Sequence, residues 1–124
     1  MILADTSVWV EHLRESEPRL QELLLEGEVL VHPFVIGELA CGNLRRRAAI
    51  LSLLRELPMG APASDAEVLT LIEEQRLWGT GIGWIDAHLL ASALLTRCSL
   101  WTRDRSLRAA ATRLKVHWPA APKS

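Results

Sequence analysis

Three short, largely apolar segments, each followed by a stretch with helical periodicity, constrain the fold of this chain most strongly. Residues 1–4, 29–31 and 99–102 are too short for core helices and have the composition of buried strands. Strands that alternate with helices are typical of a mostly parallel sheet covered by helices on both faces. We therefore predict an α/β fold, a three-layer α/β/α sandwich around a short, mostly parallel central sheet.

Local signals place most of the helices. Ser16 ahead of Pro18 marks the start of a helix that Gly27 ends, and Ser64 with Glu67 has the spacing of a capping box. The helix that begins at this capping box is predicted over residues 64–77. The other predicted helices span residues 8–15, 33–42, 45–57, 84–95 and 106–114. Residues 116–118 are a candidate edge strand.

The 124 residues predict one domain, residues 1–118, followed by a C-terminal tail, residues 119–124. No apolar run approaches the roughly 18 residues that a membrane span needs. The first apolar stretch has no basic region ahead of it, so a secretory signal is not expected. We expect a cytoplasmic protein without a membrane partner.

Cysteine and charge content exclude two classes of site. Cys41 and Cys98 lie far apart in apolar surroundings, so we expect two buried free thiols, and the four histidines lack the spacing of zinc ligands. A net charge of −1 excludes a uniformly basic nucleic-acid binder. The basic residues are almost all arginine, which suits local contacts with phosphate.

Four carboxylates stand out by their surroundings. Asp5 and Asp104 each follow a predicted strand, Glu38 lies in an otherwise apolar helix, and Asp86 lies in the first turn of another. Each has a structural explanation of its own: a helix cap for the first two, a distant arginine for Glu38, the helix dipole for Asp86. One shared acidic site explains all four together, because the carboxyl ends of parallel strands meet at one edge of a sheet.

Such a site predicts a divalent metal. Four neighbouring carboxylates cannot all ionise without cations, and oxygen donors are the ligands that Mg²⁺ and Mn²⁺ prefer. These ions activate water and stabilise the leaving oxygen in phosphodiester cleavage. Ser7 and Thr102 are candidate hydroxyl donors to the carboxylates, and Thr6 and Ser7 are also predicted to cap the first helix.

The four acidic residues lie in segments that resemble the successive motifs of PIN-domain ribonucleases. The segments are DTSVW at 5–9, GEL at 37–39, WIDAHLLA at 84–91 and WTRD at 101–104. They follow the family's order over nearly the whole chain. The chain resembles in particular the VapC toxins of bacterial toxin–antitoxin systems, because it has the size of one minimal PIN domain.

The resemblance implies a PIN-like fold and a metal-dependent endoribonuclease, usually a homodimer, that a cognate VapB-type antitoxin holds inactive. By this likeness Asp5, Glu38, Asp86 and Asp104 are the catalytic residues and the ligands of Mg²⁺ or Mn²⁺. Ser7 and Thr102 match the hydroxyl positions that accompany them. The implied reaction is in-line attack of an activated water on RNA, which leaves 5′-phosphate and 3′-hydroxyl ends.

Residues around the acidic motifs have weaker assignments. Arg103 and Arg105 flank Asp104 and are candidate contacts for RNA phosphate, whereas the arginines at 45–47 suit a solvated helix end. The tryptophans at 9, 84 and 101 could stack on bases, but their apolar neighbours favour packing in the core or an interface. His88 is turned away from Asp86 on its helix, which favours a structural role. Residues 79–83 are glycine-rich without the spacing of a phosphate-binding loop, and we expect a mobile connection near the site.

Two other function classes stay open. A non-catalytic α/β dimerisation or binding module would pair these carboxylates with arginines. A phosphotransfer receiver-like domain needs a lysine near its reactive Asp, and both lysines here, Lys115 and Lys123, lie in the last ten residues.

Overall fold

The computed structural model describes residues 1–119. Its strands are β1 (Ile2–Ala4), β2 (Val29–Leu30) and β3 (Ser99–Trp101). Its helices are α1 (Thr6–Glu15), α2 (Pro18–Leu25), α3 (Pro33–Cys41), α4 (Arg47–Glu56), α5 (Asp65–Gln75), α6 (Trp84–Thr96) and α7 (Arg105–Arg113). The predicted α/β/α fold is confirmed, and the tail predicted at 119–124 lies, apart from Pro119, outside the described residues.

β1 is the middle strand of a parallel sheet with the order β2-β1-β3. Leu3 of β1 stands opposite Leu30 of β2 and Leu100 of β3, and all three side chains are buried. Beyond the three strands, a parallel bridge joins Leu100 to His117. The candidate edge strand at residues 116–118 is thus a single bridge at the sheet edge and not a regular strand.

α6 is the most deeply buried helix of the described chain. All seven residues from 87 to 93 are buried, because this helix contacts both α5 and β3. Burial on several sides explains why its sequence is apolar nearly all round. No helix within residues 1–119 is long and apolar enough to cross a membrane.

Helix starts follow local chemistry. Pro33 occupies the first turn of α3, where its missing N–H costs nothing. At the start of α5 the Glu67 N–H donates to Ser64 Oγ (3.1 Å) and the Ser64 N–H donates to Glu67 Oε1 (2.9 Å). The predicted capping box is confirmed.

Three local predictions are wrong. α2 is capped by Glu17, whose carboxylate accepts from the Arg19 N–H (3.1 Å), while Ser16 turns the chain with φ 61°. α4 begins at Arg47 and not two residues earlier, because Arg46 has a left-handed backbone with φ 52°. Cys41 is exposed at the end of α3; Cys98 is buried as predicted, and both thiols are free.

The parallel sheet determines where the chemistry lies. Asp5 directly follows β1, α3 with Glu38 begins three residues after β2, and Asp104 comes three residues after β3. Because the strands are parallel, all three connections leave the same edge of the sheet.

Candidate functional site at the carboxyl edge of the sheet

Asp5 is the buried centre of this edge. It is 5% exposed, and its carboxylate accepts hydrogen bonds from the Thr102 hydroxyl and the Ser7 N–H. Asp5 is thus itself the cap of α1, since its extended backbone turns the carboxylate towards the amide two residues on. The prediction that Thr6 or Ser7 caps α1 is wrong, because both lie inside its first turn.

Two hydroxyl groups join the ends of β1 and β3. Thr102 Oγ1, which donates to Asp5, also accepts from the Asp104 N–H (3.0 Å). Ser7 Oγ accepts from the Arg103 N–H (3.0 Å). Thr102 thus donates its hydroxyl to Asp5 as predicted, whereas Ser7 reaches Asp5 through its backbone N–H.

Asp86 and Asp104 are each held at a helix N-terminus. Asp104 caps α7 by accepting from the Leu107 N–H (2.8 Å), and Asp86 accepts from the Gly83 N–H (3.2 Å) at the start of α6. The structural explanations for both residues are therefore correct. They do not exclude a ligand role, since a carboxylate has about four acceptor positions.

Glu38 is exposed on α3 and is held by a residue that the sequence analysis did not single out for this role. Its Oε1 accepts from the Thr6 hydroxyl (2.6 Å). Within the described chain it forms no ion pair with an arginine, lysine or histidine. The only sequence signal for Thr6 is a hydroxyl beside Asp5, and the contact spans 32 positions.

The four carboxylates interact electrostatically. Burial raises the pKa of Asp5, against the hydrogen bonds from Thr102 and Ser7 that lower it, and the charge of Glu38 raises it further. Burial is also the largest effect on Asp86 and raises its pKa. The hydrogen bond from the Gly83 amide lowers this pKa, and the charges of Asp104, Asp5 and Glu38 each raise it. All four carboxylates are therefore near enough for their charges to act on one another.

The donor chemistry of this site fits a hard divalent cation. Its side chains offer anionic oxygens, with no histidine or thiol among them. As they stand, no three His, Cys, Asp or Glu side chains within residues 1–119 are close enough together to hold a metal ion. Mutual repulsion favours this separation, and each carboxylate is held by hydroxyl or amide donors instead.

The two flanking arginines differ. The Arg103 guanidinium pairs with Glu11 and Glu17 (2.7 Å each) and lies 5.7 Å from the centre of the Trp101 ring. Arg105 is exposed at the first position of α7 and forms no ion pair among the described residues. Arg105 can therefore contact an RNA phosphate as predicted, whereas Arg103 would first have to break its ion pairs with Glu11 and Glu17.

The three tryptophans near the acidic motifs differ in burial. Trp9 and Trp101 are buried, as favoured above, but Trp84 is 42% exposed beside the acidic edge. His88 is buried against the Trp84 ring, with ring centres 4.7 Å apart, in agreement with a structural role.

The glycine-rich segment at 79–83 lies against the start of α7. Gly81 has φ +92°, and a Cβ at this position would meet Ser106 Oγ at 2.6 Å. Only glycine fits such a conformation and such a contact. The segment is therefore near the site, as predicted; its mobility stays a prediction.

Comparison with known proteins points to one family. The sequence model of the family described as PIN domain matches residues 2–112. The protein named Ribonuclease VapC32 from Mycobacterium tuberculosis, in strain CDC 1551 / Oshkosh and in strain ATCC 25618 / H37Rv, is 50% identical over 111 residues. The aligned region covers 89% of this chain and 90% of each relative.

The raised pKa of Asp86 predicts how stability changes with pH. In the presence of a chelator, Asp86→Asn should raise the free energy of unfolding at pH 7, because it removes a charge that the fold disfavours. The wild type gains stability as the pH falls through the raised pKa towards the ordinary value of 3.8, so the difference should shrink there. Urea unfolding between pH 4 and pH 7 measures it.

The exposed Glu73 on α5 provides the matched control, since Glu73→Gln removes the same charge outside the four acidic motifs. Mn²⁺ should stabilise the wild type and the Glu73 variant more than the Asp86 variant. Equal stabilisation of all three proteins by Mn²⁺ would contradict a metal role for Asp86.

Proposed function

The chain belongs to the PIN-domain family, and we propose that it is a VapC-type endoribonuclease that hydrolyses RNA phosphodiester bonds at Asp5, Glu38, Asp86 and Asp104. The observation that carries this proposal is the position of the four carboxylates, since Asp5, Glu38 and Asp104 follow the three parallel strands at one edge of the sheet and Asp86 begins α6. The named ribonuclease relatives support the same conclusion.

We propose that these four carboxylates bind Mg²⁺ or Mn²⁺. When bound, the ion lowers the pKa of water and stabilises the charge of the departing oxygen. The anionic, oxygen-only donor set supports this assignment. No histidine is proposed as a base, because the His88 ring is buried against Trp84.

The surrounding donors orient the carboxylates. Thr102 and Ser7 fix Asp5, Thr6 fixes Glu38, and the Gly83 amide fixes Asp86. Each carboxylate thus keeps a defined direction before substrate arrives, which lowers the cost of ordering the site.

RNA is the proposed substrate, and its phosphates need cationic partners. Arg105 has no competing carboxylate in the described chain, so we propose it as the first contact, with Arg103 joining if Glu11 and Glu17 release it. An RNA substrate also favours a cytoplasmic location.

We propose that a cognate VapB-type antitoxin occupies a groove between α1, α3 and the segment before α4. The groove has a volume of about 700 Å³ and reaches Thr6 and Glu38 at the acidic site. Its apolar wall includes Val10, Leu13, Leu39, Leu44 and Ile50. A segment bound there would cover Glu38 and so block the site.

Charge on this groove indicates the chemistry of the antitoxin segment. Arg14, Arg45 and Arg46 line it and form no ion pair within residues 1–119. Arg47 by contrast donates to the Ala40 carbonyl (2.9 and 3.2 Å) and braces the loop. An apolar segment flanked by acidic residues fits the groove.

We propose that the homodimer forms through the α5–α6 face. Leu94 and Leu95 are 37% and 49% exposed there and line a groove of about 390 Å³ between the two helices. Adjacent exposed leucines mark an interaction surface, and a two-fold dimer would bury the same patch on each copy.

Asparagine at Asp5, Asp86 or Asp104 should abolish RNA cleavage while circular dichroism shows a folded protein. Thr102→Val should lower the rate about 10- to 100-fold, because Asp5 loses the hydroxyl that orients it. The assay uses labelled tRNA, rRNA and mRNA fragments with Mg²⁺ or Mn²⁺, with EDTA as the blank. Products should carry 5′-phosphate and 3′-hydroxyl ends.

Glu73→Gln is again the control and should cleave like the wild type. Undiminished cleavage by the three asparagine variants would refute the assignment of the site. A wild type that neither cleaves RNA nor takes up Mn²⁺ specifically would favour the non-catalytic module.

In the groove, Val10→Asp should weaken inhibition by the cognate antitoxin, because it places a charge on the apolar wall. We expect the antitoxin concentration for half-inhibition to rise about tenfold, equivalent to about 1.4 kcal/mol. Leu53→Asp, at a 61% exposed position on α4, is the control. Equal inhibition of both variants would exclude this groove as the antitoxin site.

For the dimer, Leu95→Glu should yield monomers in analytical ultracentrifugation, since two glutamates would face each other across the two-fold axis. Leu25→Glu, at an 83% exposed position that ends α2, should leave the dimer intact. A monomeric wild type, or a dimeric Leu95 variant, would contradict this interface.

A further inference from the structure

Two partly exposed aromatic rings lie on the helices that carry the acidic residues. Phe34 is 37% exposed and precedes Glu38 by four residues, so both lie on one face of α3. Trp84 is 42% exposed and precedes Asp86 by two residues at the start of α6. On α3 the ring and the carboxylate thus share a face, whereas on α6 Trp84 is turned away from Asp86 and is linked to Phe34 through His88.

Buried histidines join the two rings into one unit. The His88 ring centre lies 4.7 Å from that of Phe34 and 4.7 Å from that of Trp84, edge to face in both cases. His32 packs against Phe34 at 5.0 Å, and its Nδ1 accepts from the Phe34 N–H (3.0 Å). We call Phe34 and Trp84, with His32 and His88 beneath them, the aromatic platform.

The two exposed rings of the platform, Phe34 and Trp84, carry no charge, and beneath them His88 Nε2 lies 3.3 Å from the Asp65 carboxylate. Burial, with a smaller contribution from His88, lowers the pKa of His32 to about 4, so this ring is neutral at pH 7. The four carboxylates repel an RNA backbone, and the proposed cation offsets that repulsion only at the reacting phosphate. An exposed aromatic ring next to the carboxylates can attract RNA without any charge, because every base has a π-face that can stack on it.

We propose that Trp84 and Phe34 stack on an unpaired base of the RNA next to the phosphate that is cleaved. This inference rests on the proposed ribonuclease function and adds the residues that position its substrate. A base within a duplex is already stacked and paired, so the platform selects single-stranded RNA.

Binding experiments test the platform without cleavage. Fluorescein-labelled single-stranded RNA is titrated with protein in EDTA and followed by anisotropy. Trp84→Ala should weaken binding about tenfold, within the range of one lost base–aromatic stack, and Phe34→Ala should weaken it less. Trp84→Phe should recover most of the affinity, because it keeps a ring.

Trp78 provides the matched control. It is 60% exposed in the segment after α5 and takes no part in the platform, so Trp78→Ala should bind RNA like the wild type. In cleavage assays Trp84→Ala should raise KM and leave kcat nearly unchanged, whereas a variant with a distorted site would lose kcat. Duplex RNA should bind weakly to all of these proteins.

An RNA with one abasic nucleotide identifies the stacked base. Moving the abasic position along the strand should reveal one position where the wild type loses about tenfold in affinity. At that position Trp84→Ala should lose nothing more, because both changes remove the same contact. Additive losses would overturn the proposal.

Other results separate this inference from the proposed function. If Trp84→Ala loses base-dependent binding while the wild type does not cleave RNA, the platform is supported and the nuclease assignment is refuted. Carboxylate-dependent cleavage with normal RNA affinity in Trp84→Ala would overturn the platform alone. So would weaker antitoxin inhibition in that variant with unchanged RNA binding, since the rings would then serve the protein partner.

Discussion

The buried carboxylate of Asp5 is the constraint on which the geometry of this edge depends. A carboxylate removed from water is costly unless donors surround it, and this one ends the middle strand of the sheet. Its main side-chain donor, Thr102, lies 97 positions away and also takes the Asp104 amide. Satisfying one buried charge therefore brings the ends of β1 and β3 together and places a second carboxylate beside the first.

The same charges oppose folding. Burial and neighbouring charges raise the pKa of Asp5 and Asp86, so the folded state disfavours their ionised forms at neutral pH. The compensation comes from the core, above all from the seven consecutive buried residues of α6, the helix whose first turn contains Asp86. A site that costs stability and persists in the fold indicates a functional requirement.

Some local contacts could be predicted from the sequence, whereas individual side-chain contacts between distant residues could not. The Ser64–Glu67 box depends on residues three apart, and the order of the acidic motifs is visible in the chain itself. The Thr6–Glu38 contact depends on how α1 packs on α3, which no local pattern encodes. The capping error at Asp5 has a similar cause, because three good capping residues stand in a row and the end of β1 decides which one acts.

The number of arginines in the sequence did not indicate how their charges are distributed in the structure. Three structural situations share one residue type: Arg47 braces a loop carbonyl, Arg103 pairs with two glutamates, and Arg105 is exposed without an ion pair in the described chain. A net charge of −1 averages over an acidic edge and the basic groove beside it. Charge alone therefore does not select the acidic residues as the place where a polyanion binds. Recognition there has to combine a cation, single arginine contacts and uncharged stacking, and the last of these is what α3 and α6 present through Phe34 and Trp84.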